Sequence, residues 1–357
     1  MKAAILKSRG SSLVVEDVPA PKLGTGEVIV EVAAARVLAY AGEVFSGVRP
    51  YLFETPLIPG SGAVGRVVEL GLDATQLAVG DWVLCDPTVR ARDSALSPTI
   101  VLQGLTAGDE RGRRLQRYIP DGAWAERVRV PTENAVALGP IEPRDAQAWA
   151  TLGVYLVPYG GLFTAGVGPG DIVVINGATG SFGSAGVAVA IAMGAASVLA
   201  TGRNRAVLDD LSRRFGARVR TVAMTGDEAA DRQRILDAAP GPIDVVLDIL
   251  PPQASASQVR TAVQAVRPGG QVVLMGGVQH ELALPYAWMM RYGVTVRGQF
   301  MYPRAAIPRL IAIVRAGLLQ LDSKITAFPL ARANDAVAHA AANAGPFEAT
   351  MICPDAT

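Results

Sequence analysis

The residues of this chain best placed for chemistry are three glycines in one turn. Gly177-Ala178-Thr179-Gly180-Ser181-Phe182-Gly183 follows directly on Ile172-Val173-Val174-Ile175, an apolar β-branched run of the kind buried on both faces of a parallel sheet. Glycines in a strand-to-helix turn let the backbone come close to a phosphate, and the N–H groups that open the next helix add donors and a partial positive charge. Ser184 to Gly194 is almost all Ala, Val, Ile and Gly, which lets a helix lie close on a sheet, and Ala196 to Thr201 resumes as a second strand. The motif is Gly-x-x-Gly-x-x-Gly and not the stricter Gly-x-Gly-x-x-Gly. Its β-α-β setting therefore carries the reading, which is that all seven residues from Gly177 to Gly183 hold the pyrophosphate of a dinucleotide.

What ends the second strand bears on which dinucleotide. An acidic residue there grips the adenosine ribose hydroxyls and repels a 2′-phosphate. This chain instead reads Thr201-Gly202-Arg203-Asn204-Arg205, with no carboxylate between Asp171 and Asp209. Gly202 leaves room and Arg203 offers a planar fork of donors, so NADPH is favoured over NADH, with Asn204 and Arg205 as further contacts. The competing reading is that two arginines at a helix start are simply solvated. Gly276, Gly277 and Val278, just past a predicted strand at Gln271 to Met275, complete the cofactor-binding candidates. The uncharged run from Ile172 to Gly202 is 31 residues long, enough for a membrane span of ~20 residues. Asn176, Thr179, Ser181 and four glycines in its first half argue against one.

Composition narrows the field further. A chain of 357 residues, half of it apolar, exceeds the usual limit of one core, so two domains are expected. A net charge of +1 with both signs scattered gives no basic stripe for nucleic acid and no polybasic patch for a membrane. Cys85 and Cys353 stand far apart, and with His280 and His339 they show none of the close spacings of a metal site. A reducing cytoplasm and no bound metal are the expectation.

Stepping outward, residues 1 to about 150 read as short strands broken by Gly and Pro. Gly26 to Val32 is a clear strand, Pro56 to Glu69 and Val79 to Leu84 are turns that each feed a strand, and Gly122 to Val130 is another strand. The excursion from Asp86 to Asp121 is long for a loop and reads as a lobe or a mobile lid. From Asp145 helices alternate with strands, the pattern of a doubly wound α/β domain. Six strands are predicted, the later ones at Val219 to Val222, Ile243 to Asp248, Gln271 to Met275 and Val294 to Phe300. Helices at Ile307 to Ala316 and Ala333 to Ala342 and a strand at Ala349 to Ile352 are expected to rejoin the first domain. The domains are then 1–150 completed by 302–357, and 151–301, with a cleft between them.

In the order and spacing of these segments the chain resembles the medium-chain dehydrogenase/reductase family of alcohol dehydrogenases and quinone oxidoreductases. The likeness rests on Met1-Lys2-Ala3, Pro19 to Val32, Pro59-Gly60-Ser61-Gly62 with Gly65, Gly80-Asp81, Gly122 to Glu126, the glycine turn, and Pro268-Gly269-Gly270. It implies a GroES-like catalytic domain, a Rossmann domain with a six-stranded parallel sheet, and a homodimer. The departures are informative. Where zinc-dependent members carry ligand Cys, His and Cys, this chain has Leu38, Ser61 and Leu152, and Cys85 is the sole remnant of a four-cysteine structural site. The Asn and the acid that zinc-free quinone reductases usually carry near Leu38 and Ala41 are absent too.

Without a metal to polarise a carbonyl, negative charge on a hydride acceptor has to be met by hydrogen bonds or delocalised by the acceptor itself. Tyr40 falls where the resemblance places the hydroxyl that starts a proton relay, and is the first candidate donor; Ser61 is the second. Tyr155 and Tyr159 either line the cleft or belong to the core. The leading expectation is a zinc-independent NADPH-dependent oxidoreductase reducing a small-molecule quinone, activated double bond or carbonyl. A zinc-free alcohol dehydrogenase and a catalytically silent NADPH-binding sensor stand beside it.

Overall fold

The computed structural model describes residues 1–354 and divides them into two compact units. The first comprises 1–153, 321–344 and 348 onward; the second comprises 154–320 and 345–347.

The first unit is built on the strand Glu27–Val37, whose apolar positions are almost all buried. It pairs antiparallel with Ala63–Leu70, Arg127–Pro131 and Glu348–Cys353. The sheet extends through Trp82–Cys85 to Ala135–Ala137 on one side, and on the other to Lys324–Pro329, which pairs parallel with Glu348–Cys353. The chain's last described strand thus returns to this unit, as expected from sequence. The segment Asp86–Asp121 is a folded lobe: Thr88–Arg90 pairs with Ile100–Leu102, and the helix Glu110–Tyr118 is capped by Asp109, whose carboxylate accepts from the Gly112 N–H at 2.7 Å. Arg113 and Arg117 of that helix both bind Glu54, at 2.9 and 2.6 Å.

The second unit is a parallel sheet of six strands in the order Val219–Ala223, Ser197–Gly202, Ile172–Asn176, Val245–Asp248, Gln271–Leu274, Thr295–Gly298. Its centre is dry. Val173, Val174, Ile175, Val198, Leu199, Ala200, Val246 and Leu247 are wholly buried, which is why these strands read as unbroken β-branched runs instead of alternating ones. The strand order reverses between Ile172–Asn176 and Val245–Asp248, the switch point outside which open α/β sheets bind ligands.

Two expectations need correction. The helix Ala306–Arg315 and all of 302–320 lie in the second unit and do not complete the first; Tyr302 is buried where Gly160 of the helix Leu152–Thr164 lacks a side chain. The helix after the glycine turn begins at Ser181, with Gly180 as its N-cap, three residues earlier than the sequence suggests. Among the described residues no helix is long and apolar enough to cross a membrane.

Candidate cofactor site and active-site groups

The glycine turn is shaped by contacts that only glycine permits. Gly177 takes φ +96°, a conformation open to glycine, and packs against the Ile249 carbonyl, 3.3 Å from where a Cβ would stand. A Cβ on Gly183 would collide with the Gly177 carbonyl, so the first turn of the helix Ser181–Ala192 sits directly on the loop. Gly180 caps that helix with no side chain at all, and its own position is exposed. Ala178 is held from below by its N–H bond to the Thr201 carbonyl, 2.9 Å. Backbone cleared of side chains in front of a helix N-terminus fits a pyrophosphate.

At the end of the second strand, Gly202 has a different use from the one expected. Its missing Cβ is filled by the Thr179 side chain, so the strand end and the glycine turn lock together. Asn204 caps the helix Arg205–Phe215, its side-chain oxygen accepting from the Val207 N–H at 3.2 Å. Arg203 and Arg205, on either side of it, are exposed and make no ion pair or hydrogen bond among the described residues. In the second glycine segment Gly276 and Gly277 are exposed and Val278 is half-buried, with the Gly277 N–H bonded to the Leu250 carbonyl at 2.8 Å.

Beneath both turns runs a buried polar chain whose role the sequence reading missed. The Thr201 hydroxyl donates to Asn176 Oδ1 at 2.8 Å, and Asn176 Nδ2 donates to Asp248 Oδ1 at 2.7 Å and to the Gln258 carbonyl at 3.2 Å. Asp248 is 2 % exposed. Burial raises its pKa to about 6, against the opposing hydrogen bonds from Asn176 and the Leu250 N–H. The signal available in sequence was a polar residue closing each of three otherwise apolar strands.

The proton-donor candidates lie in the first unit. Tyr40 precedes the short helix Ala41–Ser46 and its ring packs under the Arg49 guanidinium, 4.0 Å from the ring centre, and edge-on to Tyr51. Arg49 is held by Glu43 at 3.1 Å. Burial pushes the Tyr40 phenol well above its usual range, and its hydrogen bond to Tyr51 adds to this. The hydroxyl thus stays protonated and is a donor of hydrogen bonds more than of protons. Ser61 is half-buried and makes no side-chain hydrogen bond among the described residues. Its loop is fixed by Gly60, at φ +111°, and by the Pro59 and Gly60 carbonyls, which accept from the Trp124 and Ala123 N–H groups. Tyr155 and Tyr159, 1 % and 3 % exposed, are core residues.

The donor set does not fit a catalytic zinc. Leu38, Ser61 and Leu152 supply no soft or imidazole ligand. Burial pushes the Cys85 thiol up to about 12, which disfavours the thiolate a metal needs. His339 Nδ1 is engaged with the Thr350 hydroxyl at 3.0 Å. No group of three or more His, Cys, Asp or Glu able to hold a metal occurs among the described residues.

Comparison with known proteins places the chain. Residues 24–140 match the family described as alcohol dehydrogenase GroES-like domain, and residues 182–316 match the one described as zinc-binding dehydrogenase. The chain belongs to the medium-chain dehydrogenase/reductase superfamily. An alcohol dehydrogenase of Moraxella sp. is 28 % identical over 94 % of both chains, and an L-threonine 3-dehydrogenase of Streptomyces coelicolor is 28 % identical over 84 % of this chain and 83 % of its own. A putative zinc-binding dehydrogenase from Sinorhizobium meliloti, solved bound to NADP, shares the fold at a TM-score of 0.77 and 23 % identity, covering 99 % of both chains. This member of the superfamily is therefore an oxidoreductase of the alcohol dehydrogenase type that depends on a pyridine nucleotide, with a GroES-like unit and a Rossmann unit. The family description names zinc, while Leu38, Ser61 and Leu152, which the resemblance sets against the ligand positions, carry no zinc-binding side chain.

Proposed function

We propose that this protein is a zinc-independent, NADPH-dependent oxidoreductase that delivers hydride to a small-molecule quinone, activated carbon–carbon double bond or carbonyl. The observation that carries the reading is Arg203, exposed and without an ion pair among the described residues at the end of the strand Ser197–Gly202 where no carboxylate stands, with Arg205 two residues on. A guanidinium free of protein partners can bind a phosphate monoester with two parallel hydrogen bonds. The NADP bound to the Sinorhizobium meliloti protein is in keeping with this.

The residues divide the work. Gly177 to Gly183 bind the pyrophosphate through backbone N–H groups, and Arg203 and Arg205 take the 2′-phosphate. When bound, the reduced nicotinamide supplies the hydride. As the acceptor carbon gains it, charge develops on oxygen or on the adjacent carbon, and the Tyr40 hydroxyl donates a hydrogen bond to it, with Ser61 as the alternative donor. Because burial holds the Tyr40 proton tightly, the proton that completes the product comes from solvent and not from Tyr40. Acceptors that spread the charge themselves suit a site with no Lewis acid.

A homodimer and a cytoplasmic location complete the reading. The strand Thr295–Gly298 is at the sheet's edge, and Tyr286, Met290 and Phe300 nearby are 80 %, 67 % and 60 % exposed, the kind of apolar edge that a second copy covers. Cys85 and Cys353, both buried and far apart in sequence, suit a reducing compartment.

The test is NADPH oxidation with a panel of quinones, enones, aldehydes and ketones, before and after exhaustive chelation, with metal analysis and light scattering on the same sample. Chelation-resistant turnover of at least one class is expected. One tightly held zinc per chain, whose removal abolishes turnover, would overturn the reading.

A further inference from the structure

Asp248 sits where the two glycine segments meet. Its Oδ1 accepts from Asn176, the residue immediately before Gly177, and its backbone carbonyl accepts from the Met275 N–H at 2.9 Å, one residue before Gly276. Its Oδ2 lies 2.9 Å from where a Cβ of Gly276 would stand, so that turn closes directly over the carboxyl. The next two residues continue the clamp. The Ile249 N–H donates to the Asn176 carbonyl at 3.0 Å, and the Leu250 carbonyl accepts from Gly277 at 2.8 Å.

We propose that Asp248 is a proton-linked positioning residue of the dinucleotide site: its carboxyl couples the turn at Gly177 to the turn at Gly276, and the site holds the anionic cofactor more tightly when that carboxyl is neutral. This rests on reading the two glycine turns as the dinucleotide site. A carboxylate buried under backbone donors that face a pyrophosphate opposes the anion in a medium that screens it poorly. The neutral acid does not, and it keeps an oxygen for Asn176.

Among the described residues no charged side chain is paired with Asp248. The strands Ile172–Asn176, Ser197–Gly202 and Gln271–Leu274 and the helix Ser181–Ala192 carry no ionisable side chain. Arg260, on the helix Ala256–Val263 that carries Gln258, is bound to Glu228 at 2.5 Å; Asp244, before the start of Asp248's own strand, is bound to Arg267 at 2.7 Å. The carboxyl's ordinary affinity for protons is raised by burial to about 6, which places the change within reach of experiment. Binding of an anion raises it further, so cofactor binding takes up protons and affinity falls as pH rises through about 6.

NAD⁺ is the probe, because it lacks the 2′-phosphate that would titrate in the same window. His280 stands three residues beyond Gly277, so the work is done in a His280→Gln background. Calorimetric titration between pH 5 and 8, in two buffers of different ionisation enthalpy, should show uptake of a fraction of a proton near pH 6 and a three- to tenfold loss of affinity toward pH 8. Adding Asp248→Asn should remove both. An identical pH profile with and without Asp248→Asn, or no proton uptake in the His280→Gln protein, would overturn the proposal even if Asp248→Asn does not fold. No NAD⁺ or NADP⁺ binding at any pH would overturn the site reading itself, and this inference with it.

Discussion

Replacing Arg203 with Ala tests the cofactor assignment at its most exposed point. The side chain is exposed and has no hydrogen bond or ion pair among the described residues to lose, so the native state should change by no more than about 0.5 kcal/mol, as for other unconstrained surface substitutions. What it would lose is a charge-assisted hydrogen bond to the 2′-phosphate, worth ~1.5–3 kcal/mol. At about 1.4 kcal/mol per decade, NADPH should bind roughly 10- to 150-fold more weakly while NADH is untouched. Arg205 stands exposed two residues away and keeps part of the charge, so the lower end is expected for the single change and the upper end for Arg203 and Arg205 together. Titrating both cofactors by nicotinamide fluorescence, above the second ionisation of a phosphate monoester at about 6, gives the two constants directly. Since both arginines are solvated, raising the salt should shrink the NADPH advantage of the parent and leave that of the double variant unchanged. Equal losses for NADPH and NADH, or none for either, would refute the assignment.

Other expected outcomes follow from the same geometry. Tyr40→Phe keeps the ring between Arg49 and Tyr51 and removes one donor, so turnover of an unsaturated ketone should fall about 10- to 100-fold with NADPH affinity unchanged; parental turnover on every substrate would return Tyr40 to packing. Gly183→Ala drives a methyl into the Gly177 carbonyl, and should lower stability by ~1–3 kcal/mol by overpacking and weaken both cofactors alike, read by thermal midpoint and titration. Asn204→Ala removes the cap of the helix Arg205–Phe215, which should cost ~1 kcal/mol of stability in a denaturant titration but leave NADPH binding within a factor of about two to three.

Most of the Rossmann unit was legible because its strands are dry on both faces and its turns need glycine. All six predicted strands of this unit differ from the observed ones only at their ends. The helix Leu152–Thr164 was not legible. It contains Pro158, Gly160 and Gly161, residues that disfavour a helix locally, and it exists because those glycines admit Tyr302, Met275 and Leu247 against its backbone. The strand Lys324–Pro329 was missed for a related reason: half-buried and at a sheet edge, it is defined by its pairing with Glu348–Cys353 more than by its own pattern. In the site, the motif residues could be named from spacing. The Thr201–Asn176–Asp248 chain could not, since three polar residues 25 and 72 positions apart meet only when the parallel sheet brings its strand ends together.

That sheet end carries two opposite electrostatic arrangements. Arg203 and Arg205 keep their charge in water at little cost, and each contributes weakly until a phosphate arrives. Asp248 is the reverse. Moving its pKa from 3.8 to about 6 by burial means that the folded chain holds the proton about 3 kcal/mol more tightly than the unfolded chain does. Between those two values the folded state binds more protons than the unfolded state, so stability is greatest below pH 3.8 on this account and falls as pH rises through about 6. At neutral pH the charged carboxyl is therefore a standing penalty, offset in part by Asn176 and the Leu250 N–H. Asp248→Asn removes the charge without changing the size of the side chain. Its stability relative to the parent should accordingly improve by up to about 3 kcal/mol between pH 4 and pH 7.5 in urea titrations. A difference between the two proteins that does not vary with pH would mean that Asp248 is neutral throughout, and that its partners, not its charge, govern the turn above it.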